Sequence, residues 1–159
     1  LFSFYTRGMS FIDMAYLKKS DLKNGIIIYR RRKTGQQLTI KWEKCMEDII
    51  AKNDGCSTTQ YLLPIITNPC ADERTQYRNA ISRINVALKE VARLAGLNMP
   101  LTMHCARHCW ASIAKSKNIP LSVISEGMGH DSEETTRIYL ASLDTNVVDK
   151  ANSLILKDL

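Results

Sequence analysis

The 159-residue chain has no apolar run approaching the roughly 18 residues that a membrane span requires. It lacks an initiator Met and a basic stretch ahead of its first apolar residues, so it reads as a fragment of a longer protein without a signal peptide. It also contains no internal repeat and no low-complexity segment, which excludes solenoids and linker-type disorder. Its five cysteines, Cys45, Cys56, Cys70, Cys105 and Cys109, are odd in number and form no C-x-x-C. A disulfide framework is therefore not indicated, and a reduced, cytoplasmic compartment is the simplest expectation. What remains is an ordinary globular composition, 45% hydrophobic and 24% charged, of a size suited to one domain. Its 22 Lys and Arg against 16 acids leave a net charge of +6 and a pI near 9.1, a balance that favours polyanionic partners.

The local signals are mainly helical. Ser10 is placed to cap a short helix carrying Phe11, Ile12, Met14, Ala15 and Leu17. Lys23-Asn24-Gly25 is a turn leading into the β-branched run Ile26–Tyr29, and Lys33-Thr34-Gly35 separates this from Gln37–Ile40, a small hairpin. Residues 43–53 read as a helix ended by Asn53-Asp54-Gly55, with a loop expected around Pro64 and Pro69. The longest helix spans about Asp72 to Ala95, with Tyr77, Ile81, Ile84, Leu88, Val91 and Ala95 on one apolar stripe and Gly96 as its stop. Thr102 is a candidate N-cap for a helix through about Lys115, Pro120 opens another, and Ser132 caps a third that carries Tyr139. An amphipathic tail from Asn146, with Val147, Ala151, Leu154 and Ile155 on one face, completes a mainly α domain with one small antiparallel sheet.

Three clusters carry chemistry. His104-Cys105-Ala106-Arg107 sets a His and an Arg three apart, on one helical face, where both can reach one phosphate. Met128-Gly129-His130 puts an imidazole on a tight turn, and Tyr139 follows nine residues later. His104, Cys105, His108 and Cys109 also form two i, i+4 pairs. These point about 100° apart, so a single tetrahedral ion could not collect all four.

The order H-x-x-R, G-H, then Tyr nine residues on resembles the C-terminal half of the tyrosine recombinase (phage integrase) signature. The flanks are similar too: Arg107-His108-Cys109-Trp110-Ala111 resembles "R-H-[ST]-[FW]-A", and Thr135-Thr136-Arg137-Ile138-Tyr139 resembles "T-T-x-x-Y". Tyr5-Thr6-Arg7-Gly8-Met9-Ser10 stands where the family has "G-x-R-x-x-[ED]", although Asp13 lies further from Arg7 than that spacing. Lys33 falls at the hairpin position of the family's catalytic Lys. The wording of the first box looks most like integrases of Bacteroides-type mobile elements.

The resemblance implies the tyrosine recombinase catalytic-domain fold, without the family's N-terminal DNA-gripping domain. It implies that Tyr139 attacks a DNA phosphodiester to form a 3′-phosphotyrosyl link, with no ATP, metal or other cofactor. Arg7 and Arg107 would clamp the non-bridging oxygens, and His130 would donate to them. Lys33 would protonate the leaving 5′-oxygen, while His104 would either assist proton removal from Tyr139 or bind the phosphate. Arg31, Arg32 and Arg78 are expected to hold DNA phosphates. The implied partners are double-stranded attachment sites and, in the full-length protein, a homotetramer on DNA in which the tail docks on a neighbour. Two other readings remain open: a non-catalytic DNA-binding helical module, and a type IB topoisomerase-like enzyme.

Overall fold

The computed structural model describes residues 1–52 and 59–141. The expected tail helix and the Asn53-Asp54-Gly55 turn lie outside them. The described residues form α1 (Phe2–Tyr5), α2 (Phe11–Ala15), β1 (Leu22–Lys23), β2 (Ile26–Arg30), β3 (Gln37–Lys41), α3 (Lys44–Ala51), α4 (Glu73–Leu94), α5 (Cys105–Ser116), α6 (Leu121–Met128) and α7 (Glu133–Ala141). The three strands make one antiparallel sheet in the order β1-β2-β3, and β2 and β3 register Ile28 against Thr39. This is the mainly α fold with a small antiparallel sheet expected above. No helix among the described residues is long and apolar enough to cross a membrane.

The period of two in β2 sets much of the architecture. Ile27 and Tyr29 face inward while Ile26, Ile28 and Arg30 face out, and β3 repeats this with Leu38 and Ile40 inward. The inner face packs with Phe2, Met9, Phe11, Met14, Leu17, Met46 and Leu63 into the larger core. Fully burying each such side chain stabilises by about 1.5–3 kcal/mol. A second core joins Ala111 and Ala114 of α5 to Ile124 and Met128 of α6 and Leu140 of α7. The helix α5 packs on α1 as well as α6, so it bridges the two cores.

Ser10 caps α2 as expected, accepting from the Asp13 N–H. Asp72 caps α4 by accepting from the Thr75 N–H, and Gly96 ends α4 at φ 64° while the Leu97 N–H closes back on the Ala92 carbonyl.

Three details depart from the sequence reading. Helix α1 and strand β1 are too short for periodicity to reveal. The α4 stripe holds only in its first half: Tyr77, Ile81 and Ile84 pack on the larger core, whereas Val91 and Ala95 are exposed and Ala92 is buried. In that second half the packed row continues from Ala80 in steps of four rather than alternating fours and threes. Helix α5 begins at Cys105 with His104 at its N-cap, not at Thr102. Thr102 spends its carbonyl on the Cys105 N–H in a preceding turn, and its hydroxyl faces the Cys105 Sγ at 3.6 Å.

Candidate active site

The site lies where the two cores meet, and two glycines make that meeting possible. Gly8, at φ 77°, ends the turn between α1 and α2, and a Cβ there would sit 2.7–2.9 Å from Arg107 atoms. Gly129, at φ 62°, is the left-handed C-cap of α6, and its Cβ would come within 2.7 Å of Arg31 Cδ. Each glycine therefore lets backbone press directly on an arginine side chain.

Arg107 is buried on α5, donating from Nη1 to the Gly8 carbonyl (2.9 Å) and from Nη2 to the Met128 carbonyl (2.7 Å). Burial, reinforced by the nearby Arg31 charge, lowers its pKa to about 10, so it stays protonated at neutral pH. Arg31 continues the β2 alternation one step past the strand, on the same side as Ile27 and Tyr29, and is likewise buried. Its Nη1 donates to the Gly129 carbonyl. The Asp13 carboxylate fixes the base of this hairpin, accepting from the Arg32 N–H (2.8 Å) and the Ser10 hydroxyl. Among the described residues neither Arg31 nor Arg107 forms an ion pair. Two desolvated guanidiniums without an ion-pair partner, with Asp13 acting on Arg107 only electrostatically, are an arrangement that an oxyanion would complete.

One pocket gathers Arg31, Lys33, His104, Arg107, His130 and Tyr139, together with Ser10, Thr34 and Asp131. The Thr34 hydroxyl there is buried without a hydrogen-bond partner. Ser132 caps α7 as expected, accepting from the Thr135 N–H at 3.2 Å, and the helix buries Thr136 and Leu140. Tyr139 shares their face and is carried into the pocket. His130 Nδ1 and Thr136 Oγ1 lie 2.8 Å apart, whereas the alternative acceptor for that hydroxyl, the Ser132 carbonyl, is 3.5 Å away.

Five of the six residues expected to be catalytic line this pocket, and Arg7 is not among its lining residues. Arg7 has a left-handed backbone (φ 59°), its Cδ lies 3.7 Å from where a Gly127 Cβ would stand, and its charge acts on Tyr29 together with those of Arg31 and Arg107. The sequence held a signal for this. Counting three residues back from Asp13, the spacing of "G-x-R-x-x-[ED]", reaches Ser10, which lines the pocket, and not Arg7. Arg31, expected to grip DNA, lines the pocket beside Arg107. Arg32 stacks its guanidinium 3.7 Å over the Tyr16 ring, and Arg78 stands exposed on α4 away from the pocket lining. His108, weighed only as a metal ligand, lies 2.8 Å through Nδ1 from the Tyr139 hydroxyl. Among the described residues, no three His, Cys, Asp or Glu side chains come together as a metal-ligand set.

The model of the phage integrase family matches residues 4–146. The chain belongs to the phage integrase family. Its fold is that of solved tyrosine recombinases. The crystal structure of XerA recombinase matches with a TM-score of 0.63 at 21% identity, over 95% of this chain and 55% of that one. XerH site-specific recombinase, in a pre-cleavage complex with difH substrate, matches at 0.62 and 20% identity over 86% and 40% of the two chains. A lambda integrase dimer bound to a COC′ core site matches at 0.58 and 16% over 87% and 49%. The chain thus spans about half the length of the solved recombinases it resembles. No curated protein sequence matches it.

The pocket of this family member has a pH signature. Burial, with Arg107 and Arg31, lowers the His130 pKa to about 4, and burial likewise lowers His104 and His108. The folded state then binds fewer protons than the unfolded chain, whose histidines titrate near about 6.5. Stability from this source is present above that pH and is lost as pH falls toward about 4. The melting temperature should drop between pH 7 and 4.5, and drop less steeply in His130→Asn. Parallel curves for the two proteins would refute this account of the histidine.

Proposed function

We propose that this domain is the catalytic part of a site-specific DNA recombinase that cleaves and rejoins strands through a 3′-phosphotyrosyl intermediate. The observation that supports this most is the convergence of Tyr139 with two unpaired guanidiniums, Lys33 and two imidazoles in one pocket. Tyr139 is the nucleophile. Arg31 and Arg107 hold the non-bridging oxygens of the scissile phosphate, and His130 donates to the same oxygens. Transesterification conserves the bond energy, so strand rejoining needs no ATP.

Lys33 stands exposed at the hairpin tip and lines the pocket, where it protonates the departing 5′-oxygen. Lys33→Ala should slow cleavage of ordinary DNA by about 100-fold or more. A bridging 5′-phosphorothiolate should restore most of the rate, because a thiolate leaves unprotonated. Equal defects on both substrates would reduce Lys33 to a phosphate contact.

The substrates on this reading are double-stranded attachment sites, with Arg32 and Arg78 as outlying phosphate contacts. The full-length protein assembles as a tetramer on DNA, and the wording of the first box suggests a Bacteroides-type mobile element as its source. The test is incubation of the full-length protein with a nicked suicide duplex carrying the native site, followed by a denaturing gel. A covalent protein–DNA band supports the reading. DNA binding with no such band would favour the non-catalytic binding module.

A further inference from the structure

The sequence leaves the proton acceptor for Tyr139 open and offers His104 as one candidate. The geometry separates the two imidazoles of α5. His104 is exposed at the helix N-cap, lines the cationic pocket, and meets the Tyr139 ring edge-on with centroids 6.3 Å apart. His108 follows one turn later, its N–H bonded to the His104 carbonyl at 3.1 Å. Its ring lies within 8° of parallel to that of Tyr139, and its Nδ1 is 2.8 Å from the phenolic oxygen. His108 is not among the residues that line the pocket, so it approaches the hydroxyl from outside the phosphate-binding space. It is only half-buried, which leaves it a route for exchange with water.

We propose that His108 is the base that accepts the phenolic proton of Tyr139 during strand cleavage, while His104 faces the phosphate. This rests on Tyr139 being the nucleophile. As the Tyr139 oxygen bonds to phosphorus, its O–H breaks and the proton passes to His108 Nδ1. The bond from phosphorus to the 5′-oxygen breaks, and that oxygen takes a proton from Lys33. His108 ends protonated and Lys33 neutral, and rejoining runs both transfers backward, so charge and atoms balance without a co-reactant.

The need for a base is large. Burial raises the Tyr139 pKa to about 12, so roughly one molecule in 100,000 would carry the phenolate unaided at neutral pH. Burial and the Arg107 charge disfavour protonated His108, which keeps the Nδ1 lone pair available. The groups around it are His104 and Arg107 on α5 and Tyr139 on α7, with Cys105 and Cys109 flanking the phenol.

The test is single-turnover formation of the covalent adduct on the suicide duplex, using full-length wild type, His108→Gln, His108→Ala and His104→Gln, each across pH 5.5–9. Glutamine still accepts the Tyr139 hydrogen bond but cannot take its proton. If His108 is the base, both His108 variants cleave about 100-fold or more slowly at neutral pH. Their rates then climb with pH toward the phenol's own ionisation, and DNA affinity is unchanged. Added imidazole partly rescues the alanine variant, and His104→Gln keeps the wild-type pH profile. A wild-type rate and profile in His108→Gln would overturn the proposal, leaving His108 as a positioning residue. A wild-type protein that binds the duplex without forming any adduct would overturn the nucleophile reading itself, and this proposal with it.

Discussion

Replacing Tyr139 with Phe is expected to abolish the covalent protein–DNA adduct while leaving the fold and DNA affinity close to wild type. The variant removes one oxygen and keeps the ring. Helix α7 stays anchored through Thr136 and Leu140, which are 0% and 4% exposed, and the Arg31–Arg107 pair is untouched. The structural cost is the hydrogen bond between the phenol and His108, worth about 1 kcal/mol. The chemical cost is complete, since no other tyrosine lines the pocket that holds Arg31, Lys33, Arg107 and His130. Tyr29 is buried beneath the arginines, Tyr61 is buried and bonded to Glu73 at 2.6 Å, and Tyr16 packs against Tyr61 and Tyr77. Mass spectrometry of the trapped wild-type adduct checks the assignment directly. A phosphotyrosyl peptide containing any tyrosine but Tyr139 would be incompatible with it.

How much of this could be read from the chain depends on how local each signal is. The Ser10 and Ser132 caps, the β2–β3 hairpin and the long helix were legible because each is written in adjacent residues. The distance from Gly129-His130 to Tyr139 was legible because a capped helix of known rise fixes where its seventh residue lands. Illegible were features set by packing between distant segments. Nothing near His108 indicates that it meets Tyr139, because the contact depends on α5 and α7 both packing against α6. Thr102 has the chemistry of a cap, yet the chain turns once more before α5 starts, and that turn delivers His104 to the N-cap. The fate of the first-box arginine is the instructive case. Arg7 fits a motif by residue type, but Gly8 must press against Arg107, and the turn that achieves this sends the Arg7 side chain toward Gly127. The β2 alternation, followed two residues past Tyr29, already pointed Arg31 inward. The period of two thus pointed to a pocket residue that the motif comparison had assigned only to DNA contact.

That relocation yields the sharpest contrast among point variants. Arg31→Ala and Arg107→Ala should each lower single-turnover cleavage by about 100- to 1,000-fold, the usual effect of removing one donor from a developing oxyanion. Arg7→Ala should stay within about threefold of wild type, because a side chain away from the reacting atoms affects stability more than rate. Its loss is to be sought in a melting temperature lowered by a few degrees, since its Cδ lies close to Gly127. Arg31→Lys separates charge from shape. It keeps a cation but not the planar fork that bonds the Gly129 carbonyl through one nitrogen and leaves others for phosphate, so a substantial cleavage defect should persist. Thermal melts accompany each rate, because Arg31 and Arg107 are 7% and 6% exposed and their truncation could loosen the pocket. A folded Arg31→Lys with wild-type cleavage would leave charge alone as the requirement at that position. If a folded Arg31→Ala cleaves normally while Arg7→Ala is as defective as Arg107→Ala, the paired clamp is wrong. Arg7 would then have to swing across α6 into the pocket when DNA binds.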